Sequence, residues 1–95
     1  MNREMKQELI LQSQEGIVWK KVQGEVVLLN PSNGQYFGLN ETGSSFWEKL
    51  DGQKTVGQIV SAMSSEYEVD PAELQQDIDE LVETLLEKGL IRIVA

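Results

Sequence analysis

Apolar residues change their spacing near residue 40 of this chain. Before that point they come in short runs rich in β-branched and aromatic side chains, and after it they recur at helical intervals. Residues 17–22 (Ile-Val-Trp-Lys-Lys-Val) and 25–30 (Glu-Val-Val-Leu-Leu-Asn) are joined by Gln23-Gly24, a two-residue connection that suits a hairpin. Pro31-Ser32-Asn33-Gly34 then offers Pro to set φ and Asn-Gly for left-handed positions of a second turn, and residues 35–39 return as a third strand. The expectation is a three-stranded antiparallel meander. A side-chain period of two puts Tyr36 and Gly38 on one face of the third strand and Gln35, Phe37 and Leu39 on the other. The outer N–H and C=O groups of that end strand stay unpaired unless something covers them.

Three helices follow. Asn40 is placed to cap one over residues 41–50, with Phe46, Trp47 and Leu50 inward and Asp51-Gly52 as the stop. Thr55-Val56-Gly57-Gln58 reads as a capping box, opening a helix whose stripe is Val56, Ile59, Val60, Met63 and Tyr67. Asp70 as N-cap, Pro71 at the first position and Glu73 to close a second box begin the last helix, which carries Leu74, Ile78, Leu81, Val82 and Leu85 and ends before Gly89. That helix spans about 27 Å. Residues 90–94 form a β-prone tail that adds to the sheet or packs against it. Residues 1–16 read as an N-terminal arm, frayed or forming a short strand around Leu9, Ile10 and Leu11, ahead of one α+β domain over residues 17–95. Trp19 and Trp47 read as core.

Composition narrows what such a domain does. At 95 residues the chain buries roughly 60–65% of its unfolded surface, which leaves little for a deep catalytic cavity. There is no Cys and no His, so thiolate metal sites, disulfides and the commonest general base are all missing. The charged start and the lack of a long apolar run argue against a signal peptide or membrane span and for a cytoplasmic protein. Net charge is −8, the wrong sign for a nucleic-acid binder. Nine of the sixteen acids fall between Glu66 and Glu87, with no Lys or Arg until Lys88, so a charged partner of this face should be basic.

Candidate chemistry is sparse. Ser44-Ser45 and Ser64-Ser65 have no base, and neither a Ser-x-x-Lys motif nor a phosphate loop is present. Asp77 and Asp79 point away from each other on a helix, so they do not form a metal or acid/base pair. No cofactor is expected, and the chain reads as non-catalytic. Binding remains, with the sheet edge as its instrument: a peptide adding as a further strand sends alternate side chains toward a neighbouring helix. Three or four main-chain hydrogen bonds at about 0.5–1.5 kcal/mol each, with two apolar anchors, give affinities from about micromolar to tens of nanomolar.

The run Val-Val-Leu-Leu-Asn-Pro-Ser-Asn-Gly-Gln-Tyr-Phe-Gly-Leu-Asn-Glu-Thr-Gly over residues 26–43, with Trp47, Leu50-Asp51-Gly52, Thr55-Val56-x-x-Ile59, Tyr67-x-Val69 and Leu85-x-x-x-Gly89-Leu90, resembles the PqqD-like family. The likeness covers residues 17–93. It implies a winged-helix-like fold, a three-stranded antiparallel sheet followed by three helices, that recognises the leader segment of a ribosomally made precursor peptide. In that family the leader lies antiparallel to the third strand, in the cleft against the third helix. The corresponding residues here are Gln35, Tyr36, Phe37, Gly38 and Leu39 on the strand, and Leu74, Asp77, Ile78, Glu80 and Leu81 on the helix. The Tyr-Phe-Gly-Leu-Asn form most resembles free-standing members that serve lasso-peptide biosynthesis, where the partner is a separate leader peptidase. Members acting as peptide chaperones in pyrroloquinoline quinone biosynthesis share the skeleton.

Several of these residues have a plainer use. Tyr36, Phe37 and Leu39 can be core residues of a half-buried strand, and Ile78 and Leu81 can serve core and groove together. The acidic row can be a solvated face, or Asp77 and Glu80, one turn apart, can meet Lys or Arg of a leader. The expected partners are a precursor leader and a leader peptidase or other modifying enzyme, with neither nucleic acid nor membrane, for a monomer or weak homodimer. A winged-helix nucleic-acid binder is the rival from another class, and the acids of the last helix count against it.

Overall fold

The computed structural model describes residues 3–95, with side chains from Lys6 onward; Met1 and Asn2 of the expected arm lie outside the described residues. In chain order the elements are helix α1 (Arg3–Glu8), strands β1 (Leu11–Ser13), β2 (Val18–Val22), β3 (Glu25–Asn30) and β4 (Gln35–Gly38), helices α2 (Glu41–Glu48), α3 (Val56–Tyr67) and α4 (Pro71–Glu87), and strand β5 (Ile91–Ile93). The meander β2-β3-β4 followed by the helices α2, α3 and α4 is the α+β order expected from the residues, and together they make the winged-helix-like fold that the resemblance implies.

Turn chemistry sets the meander. Gln23 (φ 52°) and Gly24 (φ 85°) are both left-handed, the I′ geometry whose twist matches the flanking strands, and Trp19 pairs with Leu28 across the hairpin. In the second turn only Gly34 is left-handed (φ 71°). Asn33 acts through its side chain instead, its Oδ1 accepting from Gln35 N at 2.9 Å.

Each of the three later helices begins on a capping side chain. Asn40 Oδ1 accepts from Gly43 N at 2.8 Å. At Thr55 the box is reciprocal: Gln58 N donates to Thr55 Oγ1 (3.1 Å) and Thr55 N to Gln58 Oε1 (2.8 Å). Asp70 caps α4 through Ala72 N at 3.0 Å, but the reciprocal bond expected of Glu73 is not formed among the described residues, and Pro71 supplies the rest of the start signal. The helix ends on Gly89 (φ 70°), with Leu90 N donating to Leu85 O (2.9 Å) and Gly89 N to Leu86 O (3.1 Å), the two bonds of a Schellman cap.

The core lies between β3 and the helices. Val26 and Leu28 of β3 meet Phe46, Trp47, Ile59, Met63, Ile78, Val82 and Leu85, all buried. Trp19 is a correction to the expected core: it is 46% exposed, against 4% for Trp47. The reason is geometric, since α2 packs over β3 while β2 overhangs, every one of its residues exposed.

The tail pairs elsewhere than expected. β5 lies antiparallel to β1, Leu11 opposite Ile93 and Ser13 opposite Ile91, in a separate two-stranded sheet rather than on the meander. Leu11 is thereby buried, and Ile10 ties both directions by donating to Ala95 O and accepting from Val94 N, each at 2.8 Å. Ahead of that strand α1 rests on α3 where Gly57 leaves room; a Cβ at Gly57 would stand 3.2 Å from Gln7 O. Lys6, itself buried, pairs with Glu83 of α4.

Candidate functional site: a cleft between an open sheet edge and the last helix

β4 is an end strand with a ladder partner on one side only. Leu39 N donates to Val26 O at 2.8 Å, which fixes the phase of the ladder: antiparallel alternation then turns the N–H and C=O of Tyr36 and Gly38 outward to the open edge. Ser44, 1% exposed in α2, holds the end of this strand pair in place. Its Oγ accepts from Val26 N at 2.7 Å and donates to Leu39 O at 3.3 Å, so strand ends that lack a ladder partner are satisfied by the helix.

The last helix stands across from this edge, running opposite in direction to β4. Gly43 sets the spacing, because a Cβ there would meet Leu81 Cδ2 at 3.3 Å and Leu39 Cβ at 3.4 Å. Between the two walls is a cleft of 390 Å³. Its strand wall is Phe37, Gly38 and Leu39, its floor Asn40, Thr42 and Gly43, and its helix wall Asp77, Ile78, Glu80 and Leu81. Toward the start of α4 it continues, through the shared Thr42 and Asp77, into a 210 Å³ hollow lined also by Tyr67, Val69, Glu73 and Leu74. At the opposite end Gln35, Tyr36 and Phe37 meet Lys88, whose Nζ lies 5.6 Å from the Phe37 ring centroid, within cation–π range.

Of the ten residues picked out from the sequence, the cleft gathers seven: Phe37, Gly38, Leu39, Asp77, Ile78, Glu80 and Leu81. Leu74 lies in the adjoining hollow, and Gln35 and Tyr36 at the far end. Their exposures divide them. Leu39, Ile78 and Leu74 are buried and brace the walls from the core, Phe37 and Leu81 are half-buried and present apolar surface, and Asp77 and Glu80 stand exposed on the rim. Tyr36, 72% exposed, leans off the outer sheet face. The cleft thus has apolar walls at Phe37, Leu39, Ile78 and Leu81, a polar floor at Asn40 and Thr42 and an acidic rim along the helix, with Lys88 beyond its far end. Sequence reasoning missed Asn40, Thr42, Gly43 and Lys88 as lining, together with Tyr67, Val69 and Glu73 of the adjoining hollow. A Gly in the first turn of a short helix was the available signal for Gly43, since such a Gly weakens the helix unless a neighbour needs the space.

No group of three His, Cys, Asp or Glu among the described residues is placed to hold a metal, and no helix among them is long and apolar enough to cross a membrane.

The profile of the family described as coenzyme PQQ synthesis protein D (PqqD) matches residues 25–91. The chain belongs to the PqqD family. Both walls of the cleft fall inside the matched span, whereas α1, β1 and β2 lie outside it. Among curated PqqD-family relatives, the PqqA binding protein of Methylococcus capsulatus is 32% identical over 74 residues, 78% of this chain and 75% of that protein. The PqqA binding protein of Xanthomonas oryzae is 28% identical over 75 residues, 79% of each. Two solved structures share the fold. TbiB1 in complex with the TbiA(beta) leader peptide has a TM-score of 0.77 at 33% identity, covering 85% of this chain and 94% of that one. A lasso peptide synthetase B1 complexed with the leader peptide also has a TM-score of 0.77, at 26% identity, covering 87% of this chain and 98% of its own.

Proposed function

We propose that this PqqD-family chain is a non-catalytic recognition element that binds the leader of a ribosomally made precursor peptide by strand addition at β4 and presents it to a processing enzyme. The observation that carries the reading is the open edge of β4 facing α4 across the 390 Å³ cleft. A peptide running antiparallel to β4 pairs with the outward groups of Tyr36 and Gly38, up to four main-chain bonds worth about 0.5–1.5 kcal/mol each. Its alternate side chains enter the cleft over Phe37 and Leu81, where each buried apolar anchor adds about 1.5–3 kcal/mol. Basic side chains on the leader meet Asp77 and Glu80. Gln35 and Lys88 flank the point where the peptide leaves.

Non-catalysis rests on the chain's own chemistry, which has no His or Cys and only an acidic rim at the cleft. The pathway we favour is lasso-peptide biosynthesis, in the cytoplasm, with a separate leader peptidase as the enzyme served; the two leader-bound structural neighbours cover nearly their whole length in this comparison. A PqqA-type precursor in pyrroloquinoline quinone biosynthesis is the second reading, supported by the curated relatives. The acids of α4 argue against nucleic acid as the ligand.

The test is fluorescence anisotropy of a labelled leader from the precursor encoded alongside this chain, titrated with wild type, Gly38→Pro and Gly38→Ala. Proline removes an N–H that faces the edge and not the β3 ladder, so the fold should persist by circular dichroism while binding is lost. A Cβ at Gly38 meets nothing within 4 Å, so Gly38→Ala should bind within about twofold of wild type. Saturable binding untouched by Gly38→Pro would place the ligand elsewhere than this edge.

A further inference from the structure

We infer that the far end of the cleft is a subsite for a leader carboxylate, an Asp or Glu side chain held by Lys88, and that the opposite charges of the two cleft ends read the leader's direction; the inference rests on the leader-binding reading above. The groove is divided by charge. Asp77 and Glu80 line the main cleft and Glu73 the adjoining hollow, with no base beside them, whereas the far end carries Lys88 and no acid. Lys6, Lys21, Lys49 and Lys54 each pair with a carboxylate of the chain. Lys88 follows a stretch of nine acids, yet it has no such partner among the described residues. Its ammonium stands instead over Phe37, the apolar wall next to which the leader strand passes.

A lysine at a helix end also suits the helix dipole, but that use does not gather other donors around it. Here three amides line the same hollow: Asn30, Asn33 and Gln35. The carbonyl oxygens of the two Asn are already committed, Asn30 Oδ1 accepting from Ser32 N at 3.0 Å and Asn33 Oδ1 from Gln35 N at 2.9 Å. What those side chains have left to offer is their NH₂ groups, which are donors. A hollow lined by one ammonium and by amide donors selects an anion. Its volume narrows the choice: 30 Å³, where a single water needs roughly 10–15 Å³, takes a carboxylate group but not an aromatic or branched anchor.

The strand register places the acid. Opposed residues of an antiparallel pair share a face, so leader residues opposite Leu39, Phe37 and Gln35 all face α4, in that order from upstream to downstream. The one opposite Gln35 lies about 7 Å past the anchor on Phe37, alongside Lys88. Glu80 and Lys88 are eight residues apart along the helix, a separation of about 12 Å that an extended peptide covers in about four residues. The leader that fits therefore carries a base, an apolar anchor two residues on and an acid two residues after that. A peptide laid in the reverse direction brings its acid to Asp77 and Glu80 and its base to Lys88, and both contacts become repulsive.

The experiment is a charge cycle between protein and peptide, read by anisotropy with the labelled leader of the precursor encoded alongside this chain. Each leader acid is changed in turn to its amide, and each peptide is titrated with wild type, Lys88→Met, Lys88→Arg and Lys88→Glu. Lys88→Met keeps the apolar stem over Phe37 and should weaken the native leader about fivefold, Lys88→Arg should recover most of that loss, and Lys88→Glu should cost about tenfold or more. One amide leader should lose about the same factor against wild type and nothing further against Lys88→Met, and replacing that acid by Lys should restore binding to Lys88→Glu. Lys20→Met removes an equal charge from exposed β2 and should leave leader affinity within about twofold. A loss in Lys88→Met that is equally large for every amide leader overturns the inference, because the stem or the fold is then responsible. Native-leader binding that is indifferent to Lys88, or saturable binding by a leader with no acid downstream of its apolar anchor, also overturns it while leaving strand addition standing. Failure of wild type to bind the native leader refutes the functional reading itself.

Discussion

Replacing Ser44 by Ala tests whether a single buried hydroxyl joins the sheet edge to the helices. The hydroxyl is 1% exposed and serves two backbone groups at once, accepting from Val26 N at 2.7 Å and donating to Leu39 O at 3.3 Å. Val26 is fully buried, so without the hydroxyl its N–H loses its acceptor where water does not reach, at about 1–3 kcal/mol. The longer bond to Leu39 O adds little. Ala is a better helix former than Ser by about 0.5 kcal/mol, and this offsets part of the loss within α2. The expected net cost is about 0.5–2.5 kcal/mol, or a fall in Tm on the order of 10 °C for a domain this small. Ser45→Ala is the matched control, since among the described residues its Oγ accepts from Lys49 Nζ alone, at 3.3 Å one turn along the helix, and its stability should stay within about 0.5 kcal/mol of wild type. Urea denaturation followed by far-ultraviolet dichroism gives both numbers, with m expected unchanged. Equal midpoints for the two variants would refute the reasoning.

Asp77→Lys should weaken leader binding by up to about fivefold and flatten its salt dependence, because exposed pairs are worth about 0.2–1 kcal/mol; anisotropy at low and high salt reads it, and an unchanged slope returns these acids to the role of solvated surface. The bond from the Lys6 ammonium, and then its charge, hold the Glu83 carboxyl below its ordinary value of 4.5. A carboxyl depressed on folding contributes stability above its unfolded value that is lost as pH falls through the lower folded one. Urea midpoints of wild type and Glu83→Gln should therefore differ at about pH 6 and draw together progressively as pH falls below 4.5, whereas a constant difference would show that the pair carries no such linkage.

What was legible in the chain was local. Gln23-Gly24, the Thr55 box and the Asp70-Pro71 start are short-range signals, and each marks the boundary it was expected to mark. β1 was not legible as a partner of β5, because the matching residues, Leu11 and Ile93, lie at opposite ends of the chain and neither segment carries a turn joining them. Trp19 has the composition of a core residue in a core-like strand; its exposure follows from the reach of α2, which no residue near Trp19 records. The cleft divides in the same way. Periodicity alone brings Phe37 and Leu39 onto one strand face and Ile78 and Leu81 onto one helix face. Thr42 and Lys88 join them only because α2 begins and α4 ends where the folded chain turns, which is a property of the assembly.

The exposure of β2 has a consequence for motion. All five of its residues face water, and it is retained by its ladder to β3, by the left-handed turn at Gln23 and Gly24, and by the surface pair of Lys21 with Glu48 at 3.1 Å. Opening that strand uncovers only the covered halves of Val18, Trp19 and Val22 and none of its residues is buried, so its local unfolding free energy lies below the global value, while β3, with Val26 and Leu28 buried, opens only with the whole domain. Amide exchange in residues 18–22 should outpace that in residues 26–28, giving the wing a hinge of its own beside a rigid body.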